Sequence, residues 1–148
     1  MVESKPHLLS LEPTVLEVGV SEEKCSLLAN RCPRCDLVFF PRRHFCTRCC
    51  SPELEEIRLS GKGCLKSLTS VYEKPKYAAV EPPYMVGEIE LPQRVVVYAL
   101  LTQCSSEKLK IGAEMELTTV KVREEVQEGK HVTVLAYAFR PSSVQTKR

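Results

Sequence analysis

Hydrophobic and polar positions alternate most regularly near the end of the chain. The run HVTVLAYAF at 131–139 sets one strand face against the other: Val132, Val134, Ala136 and Ala138 against Thr133, Leu135, Tyr137 and Phe139. Four earlier runs, at 63–72, 84–91, 94–104 and 114–122, are rich in β-branched and aromatic residues and are separated by Pro and Gly turn signals. Five strands in about 80 residues, with no convincing helix between them, predict an all-β domain, a five-stranded Greek-key barrel of the OB type.

The segment that precedes these runs is harder to assign. Gly61 and Gly63 in SGKG would let the chain turn sharply into the first barrel strand. Further upstream, Ser21 is a candidate N-cap for a short helix, and residues 27–31 are a candidate strand. Residues 1–20 carry apolar side chains but are too few to form a hydrophobic core by themselves. This segment therefore either packs on the chain's own barrel or docks on another protein.

Five of the eight cysteines lie in RCPRCDLVFFPRRHFCTRCC, residues 31–50. The spacing Cys32-x2-Cys35-x10-Cys46-x2-Cys49 places two pairs of thiolates on two tight turns, which together can close a tetrahedral site of four sulfurs. Soft thiolate ligands favour Zn²⁺, although a rubredoxin-type iron site has the same ligands. Cys50 could replace Cys49 only by losing the two-residue spacing. A site with no open position is structural, and in so small a module the metal supplies much of the folding energy.

The remaining cysteines and the histidines show no catalytic arrangement. Cys64 and Cys104 lie in β-like runs and are expected to be small buried hydrophobic residues, while Cys25 stands apart from them. The chain has three histidines, at positions 7, 44 and 131, and none lies in a recognisable catalytic setting. His44 lies inside the ribbon and is expected to be a surface residue, with a backup metal ligand as the alternative. The sequence therefore predicts no catalytic residue.

Composition narrows the class of protein. The chain has 148 residues, of which 43% are hydrophobic and 27% are charged, a composition typical of a folded globular protein. Its net charge of +2 is low for a protein dedicated to nucleic-acid binding. No apolar run is long enough to span a bilayer, and acids and prolines interrupt the N-terminal stretch where a signal peptide needs a continuous apolar run. We expect a cytoplasmic protein, whose reduced thiols bind metal in preference to forming disulfides.

The order of the motifs resembles one family. LLANRCPRC, FFPRRHFCTRC, LSGKG, EPPYMVGEIEL, LKIGAEMEL and a last strand ending in FRP follow one another over residues 27–141. This order resembles the rubredoxin-like zinc ribbon plus OB-fold family of acyl-CoA-associated proteins, found beside thiolases and related condensing enzymes. Asp36 stands where that family usually has glycine, but Asp tolerates positive φ better than most residues. The expected parts are an N-terminal extension with partner contacts (1–26), a zinc ribbon (27–53), an OB barrel (54–141) and a flexible tail (142–148).

The resemblance implies a non-catalytic subunit. Members bind partners similar to thiolases or hydroxymethylglutaryl-CoA synthases, and some are bound or fused to hydratases and aldolases that act on CoA thioesters. The expected partner is a thiolase-fold catalytic subunit, and the two would form a heterotetramer. The small protein would stabilise the catalytic subunit and help it to hold the acyl-CoA. The N-terminal segment and the ribbon would carry much of the interface. One reaction that the resemblance suggests is thiolysis of benzoylsuccinyl-CoA to benzoyl-CoA and succinyl-CoA.

Basic residues of the ribbon are candidate contacts for CoA. Five arginines lie within 18 residues, against one acid, Asp36. Arginine binds phosphate oxygens in a bidentate manner, so the ADP end of CoA is a suitable ligand. The candidate CoA-binding residues are Arg34, Arg42, Arg43, Arg48 and Lys62. The alternative is that they form a solvated face or dock on an acidic partner surface.

Two other functions remain open from the residues alone. OB barrels also bind single-stranded nucleic acid by stacking bases on aromatic residues, for which the candidates are Tyr72, Tyr77, Tyr84, Tyr98, Tyr137 and Phe139. The same region carries many acids that would repel phosphates: Glu73, Glu81, Glu88, Glu90, Glu114, Glu116, Glu124 and Glu125. A free-standing enzyme or an iron electron carrier is the third hypothesis.

Overall fold

The fold was analysed in a computed structural model, which describes residues 7–19, 25–76, 80–105 and 107–142. These residues form ten strands: β1 (His7–Ser10), β2 (Leu16–Val18), β3 (Cys25–Arg31), β4 (Val38–Phe39), β5 (Glu55–Arg58), β6 (Lys62–Val71), β7 (Tyr84–Glu90), β8 (Val96–Leu101), β9 (Glu114–Gln127) and β10 (Lys130–Pro141). No helix in the described part of the chain is long and apolar enough to cross a membrane.

Strands β6 to β10 form the predicted barrel. The hydrogen-bonded order is β10-β8-β7-β6-β9, and the pairing of β9 with β10 closes the sheet on itself. The β8–β10 pair is parallel, whereas the other neighbours in the barrel are antiparallel. This is the expected OB architecture. The β9–β10 hairpin turns at Glu128 and Gly129, both at positive φ (52° and 76°), as a two-residue turn of the I′ type requires.

The core follows from the side-chain alternation. In β8, Val97, Ala99 and Leu101 are buried while Val96 and Tyr98 point outward. The fully buried side chains come from every part of the barrel and include Phe139, Leu65, Ile89, Val97 and Met115. The same cluster continues into the ribbon through Leu16, Leu27, Ala29 and Leu59. One continuous apolar core therefore joins the barrel to the ribbon.

The residues before the ribbon pair with the chain's own sheets. Strand β1 runs parallel to β10, with Leu9 opposite Val134, and β2 pairs with β3. Residues 25–31 form a strand, as anticipated for 27–31, whereas the candidate helix cap Ser21 lies outside the described residues. Ser142, the first residue of the expected tail, is 1% exposed, and its backbone N–H donates to the Glu114 carbonyl. The other tail residues, 143–148, lie outside the described part.

Gly61 lies at a bend directly before β6, as predicted, whereas Gly63 has a different role. The glycines at positive φ in the described chain are Gly112 and Gly129, so a left-handed backbone conformation does not explain Gly63. Gly63 lies in β6, where an added Cβ would be 2.6 Å from the carbonyl oxygen of Glu90. Close approach of two strands, not turning, is the reason that position 63 requires glycine.

Candidate functional site

Two knuckles of the same geometry follow β3 and β4. The N–H of Asp36 donates to the Cys32 carbonyl at 2.7 Å, and the N–H of Cys50 donates to the Cys46 carbonyl at 2.9 Å. Asp36 and Cys50 both adopt a φ of 62°. Cys50 therefore occupies in the second knuckle the position that Asp36 occupies in the first, directly after the second cysteine of the pair.

The knuckles bring four sulfurs together. The Sγ atoms of Cys32, Cys35, Cys46 and Cys49 all lie within 4.8 Å of one another, and those of Cys32 and Cys49 are 3.6 Å apart. A tetrahedral zinc site with Zn–S bonds of about 2.3 Å places its sulfurs about 3.8 Å apart, so the cluster fits this ion. Cys50 is exposed and does not belong to the cluster.

Backbone donors favour negative charge on one of these sulfurs. The N–H groups of Cys49 and Arg48 lie 3.5 Å and 3.3 Å from Cys46 Sγ, and they lower the pKa of Cys46 to about 6. Cys35 shows the opposite shift, since a hydrogen bond with the Cys49 side chain raises its pKa to about 12. The four thiols therefore do not ionise equally by themselves, and a bound cation would allow all four to ionise together.

Two arginines of the ribbon are engaged by acids of the same chain. The Nε of Arg31 lies 2.7 Å from Asp36 Oδ1, and its Nη1 lies 3.4 Å from Glu55 Oε1. The Arg42 guanidinium forms an ion pair with Glu56, and its Nε donates to the Thr14 carbonyl at 3.2 Å. These contacts tie the ribbon strands together, so a phosphate at Arg42 would compete with Glu56.

The other candidate CoA-binding residues are divided between three places. Arg34 and Arg48 are exposed at equivalent positions within the two knuckles. Arg43 is exposed, with its guanidinium carbon 6.0 Å from the centroid of the Phe39 ring. Lys62 lies in the barrel, opposite Glu116, and lines a cavity together with Glu90 and Glu114. The structure therefore does not bring Lys62 into the same cavity as Arg42 and Arg43.

A cavity of about 430 Å³ lies beside the ribbon. We call it the ribbon cavity; its lining residues are Thr14, Val15, Asn30, Pro41, Arg42, Arg43 and His44. Asn30 is only 6% exposed; its Nδ2 donates to the Arg43 carbonyl at 2.7 Å, whereas its Oδ1 is buried without a hydrogen-bond partner. His44 is exposed, as expected. The ribbon cavity thus combines basic side chains with an unused, buried acceptor.

A second cavity, of about 380 Å³, lies on the outside of the barrel. We call it the barrel-face cavity; its lining residues are Leu11, Glu12, Val80, Tyr84, Val86, Tyr98, Ala99, Leu100, Ala136 and Tyr137. It gathers three of the six predicted aromatic residues. Of the other three, Phe139 is fully buried, and Tyr72 is 75% exposed and does not line this cavity. Tyr77 lies outside the described residues. The motifs gave no signal for the contribution of Leu11, Glu12 and Val80.

The outer face of β7 and β8 is poorly suited to nucleic acid. Glu88 lies opposite Tyr98 and accepts a hydrogen bond from Ser67 Oγ at 2.6 Å. Hydrogen bonds from Ser67 and then from Tyr98 lower the pKa of Glu88, so this carboxylate is charged at neutral pH beside the aromatic residues. A fixed negative charge there repels a phosphate backbone.

The isolated cysteines are packing residues. Cys25 and Cys104 are part-buried and pack against the core, and burial raises the pKa of each thiol. Cys64 is part-buried in β6 and not fully buried as predicted. A thiol whose pKa is raised is a poor nucleophile at neutral pH.

Comparison with known proteins gives the same two domains. Residues 26–55 match the family model described as ChsH2, rubredoxin-like zinc ribbon domain, and residues 56–120 match that of the ChsH2 C-terminal OB-fold domain. A DUF35 domain-containing scaffold protein of Methanocaldococcus jannaschii is 32% identical, with 81% of this chain and 84% of that protein covered. The benzoylsuccinyl-CoA thiolase subunit BbsA of Thauera aromatica is 30% identical, with 93% and 92% covered.

A solved structure supports the same assignment. The Ltp2-ChsH2(DUF35) aldolase matches with a TM-score of 0.59 and 25% identity, covering 78% of this chain and 84% of that chain. The structure shows a four-thiol cluster followed by a closed barrel. The matched domains and the similar proteins agree with this arrangement. The chain belongs to the ChsH2 family of proteins that join a rubredoxin-like zinc ribbon to an OB-fold domain.

Proposed function

We propose that this protein is a non-catalytic, zinc-containing accessory subunit that binds a thiolase-fold catalytic subunit and works with it on CoA thioesters. The observation that carries the proposal is the similarity, over 93% of the chain, to a protein named as a benzoylsuccinyl-CoA thiolase subunit. Relatives named as scaffold proteins support the same role. We assign the chemistry to the catalytic partner, because the similar protein is named as one subunit of a thiolase.

The metal in this proposal is structural zinc. Cys32, Cys35, Cys46 and Cys49 are its ligands, and the backbone donors at Cys46 hold that thiolate. Ligation by four thiolates requires reduced cysteines, which is their state in the cytoplasm, where we place the complex. The zinc fixes the two knuckles, which carry Arg34 and Arg48, and both ends of the segment between them, which carries Arg42 and Arg43.

The ribbon cavity is the proposed contact for the ADP end of CoA. Arg43 supplies positive charge, and the free Oδ1 of Asn30 would accept a hydrogen bond from the adenine amino group. Arg34 and Arg48 are the next candidates because they are exposed on the same ribbon, whereas Arg42 is engaged by Glu56. Lys62 remains in the proposal only as a contact at a second place, because acids surround it.

Residues of the N-terminal segment belong to the proposed partner interface. Because residues 7–10 and 16–18 pair with the chain's own sheets, they would present side chains to the partner from a folded surface. Deleting 1–20 would therefore disturb the fold as well as the assembly, and point substitutions are the better test. We expect two copies of this chain on a thiolase dimer, and benzoylsuccinyl-CoA as the first substrate to try.

The test begins with affinity purification of the tagged protein from its native cell extract and mass spectrometry of what accompanies it. We expect a thiolase-fold protein in near-equal amount, and thiolysis of CoA thioesters by the reconstituted pair. Recovery of nucleic acid or its processing proteins without a CoA enzyme would overturn the proposal. The same purification through a Cys49→Ala variant shows whether the zinc ribbon is needed for assembly.

The CoA contact is tested separately in the assembled complex. Arg43→Ala should raise the KM for the CoA thioester about tenfold, since a charge-assisted hydrogen bond contributes about 1.5–3 kcal/mol. Lys130→Ala removes an equal charge from the exposed β9–β10 turn and serves as the matched control. An unchanged KM in Arg43→Ala would remove the ribbon cavity from the proposal and leave the accessory-subunit role standing.

A further inference from the structure

The barrel-face cavity has an electrostatic character that the proposed function does not use. Three tyrosines and several aliphatic residues form its walls, and among the described residues that line it Glu12 is the one with a charged side chain. None of its lining residues is basic, and none of the ion pairs found in the described part of the chain involves the Glu12 carboxylate. Aromatic rings and an unpaired carboxylate around an apolar hollow are the features that bind an organic cation.

Backbone contacts hold Glu12 at this place. Its N–H donates to Ser10 Oγ at 3.2 Å, and its carbonyl accepts hydrogen bonds from the N–H groups of Val15 and Leu16, both at 2.9 Å. The preceding residue, Leu11, is tied to the barrel through the Leu135 carbonyl at 2.7 Å. The carboxylate is thus carried by a fixed turn, so a ligand would not have to order the backbone beneath it.

The wall formed by Tyr137 is also fixed. The Tyr137 hydroxyl donates to the Tyr98 carbonyl at 3.1 Å. The Tyr137 ring packs edge-on against the ring of Phe40 in the ribbon, with 6.3 Å between the ring centroids. Around the cavity, Tyr98 is 71% exposed and Leu9 of the neighbouring β1 is 42% exposed. Exposed tyrosine and aliphatic surface around a hollow is the composition of a protein interface.

We propose that the barrel-face cavity is an anchor site for an arginine side chain of a partner protein, with Glu12 pairing the guanidinium and the tyrosine walls packing against it. Arginine fits better than lysine because its planar, weakly hydrated guanidinium stacks on aromatic rings and pairs with a carboxylate in a bidentate manner. A cavity of about 380 Å³ is large enough for that side chain. The proposal does not depend on the identity of the partner, so it can fail or succeed independently of the proposed function.

The test uses the full, zinc-loaded chain labelled with ¹⁵N and titrated with N-acetyl-arginine-N-methylamide. N-acetyl-citrulline-N-methylamide, the neutral isostere, is the matched probe. We expect the backbone resonances of Glu12, Val86 and Ala136 to shift with the arginine probe, and the citrulline probe to bind at least about fivefold more weakly, because it lacks the cation–π and ion-pair contributions.

Two variants decide the role of the carboxylate. Glu12→Gln should reduce the preference for arginine over citrulline to the smaller part that the tyrosine rings supply, while keeping the spectrum of a folded chain. Glu53→Gln, which removes an exposed carboxylate from the ribbon, should keep the preference. Equal affinity of the two probes, absence of shifts up to tens of millimolar arginine probe, or an arginine preference that is undiminished in Glu12→Gln would each overturn the proposal.

Discussion

The close packing at Gly63 gives a prediction whose size follows from the structure. An added Cβ at this position would lie 2.6 Å from the Glu90 carbonyl oxygen, 2.7 Å from Ile89 Cγ2 and 2.8 Å from Leu91 Cδ2. The Glu90 oxygen belongs to the backbone of β7, which pairs with β6 beside this point, so it cannot move without disturbing the barrel. Gly63 is also one of the residues through which β6 pairs with β9 to close the barrel.

Gly63→Ala should therefore destabilise the protein. Overpacking of this kind costs about 1–3 kcal/mol or more in the free energy of unfolding. Alanine also lowers the conformational entropy of the unfolded chain, which stabilises the folded state by only about 0.4–1 kcal/mol. We expect a net loss of about 2 kcal/mol, which lowers Tm by roughly 4–8 °C for a chain of this size.

Gly61→Ala is the matched control, two residues away in the same segment. The nearest atom to its added Cβ is Leu117 Cβ at 3.6 Å, an ordinary contact, and Gly61 is not at positive φ. This variant should be neutral or more stable by up to about 1 kcal/mol. The assay is thermal and urea unfolding followed by circular dichroism at fixed protein and zinc concentrations. If the two variants were equally stable, the close-approach argument for Gly63 would be wrong.

Three further predictions concern the metal, the pH dependence and the core. Cys49→Ala should lose the bound zinc while Cys50→Ala keeps one equivalent, measured by elemental analysis of the purified variants; zinc loss in both would place Cys50 among the ligands. The pKa of Glu88 is lowered below 4.5, so its stabilisation is present above that pH and is lost as pH falls through the folded-state pKa; Glu88→Gln should lower Tm at about pH 7 but not at about pH 3, and an equal effect at both would contradict the hydrogen-bonded carboxylate. Phe139→Ala should cost about 3–5 kcal/mol in urea unfolding, and a cost below about 1 kcal/mol would show that this ring does not fill the core.

Local patterns in the sequence were sufficient to predict most of the secondary structure. Alternation and turn residues predicted five strands, and each predicted run overlaps one strand of the barrel. The two-residue spacing of the cysteines predicted two knuckles, since two thiols so close along the chain must share one turn. Asp36 at the positive φ expected for a glycine position follows from the same local geometry.

The tertiary structure gives some residues contacts that local patterns do not show. Gly63 was taken for a turn residue, but its role depends on the strand that passes beside it. Lys62 was grouped with the ribbon arginines because it carries the same charge, whereas strand pairing places it among acids of the barrel. Arg42 stays a predicted phosphate contact, but folding brings Glu56 to its guanidinium, and a phosphate would have to compete with that carboxylate.

The sequence by itself determined the metal-binding knuckles, the strand content and the family, because each depends on residues close together along the chain or on their order. Only the tertiary structure decided which charges neutralise one another and where the cavities lie. The barrel-face cavity joins Glu12, Val80 and Ala136, which no motif connects, through the parallel pairing of β1 with β10 and the closure of the barrel. Contacts between residues so far apart depend on the packing of the whole core and not on any local preference of the chain.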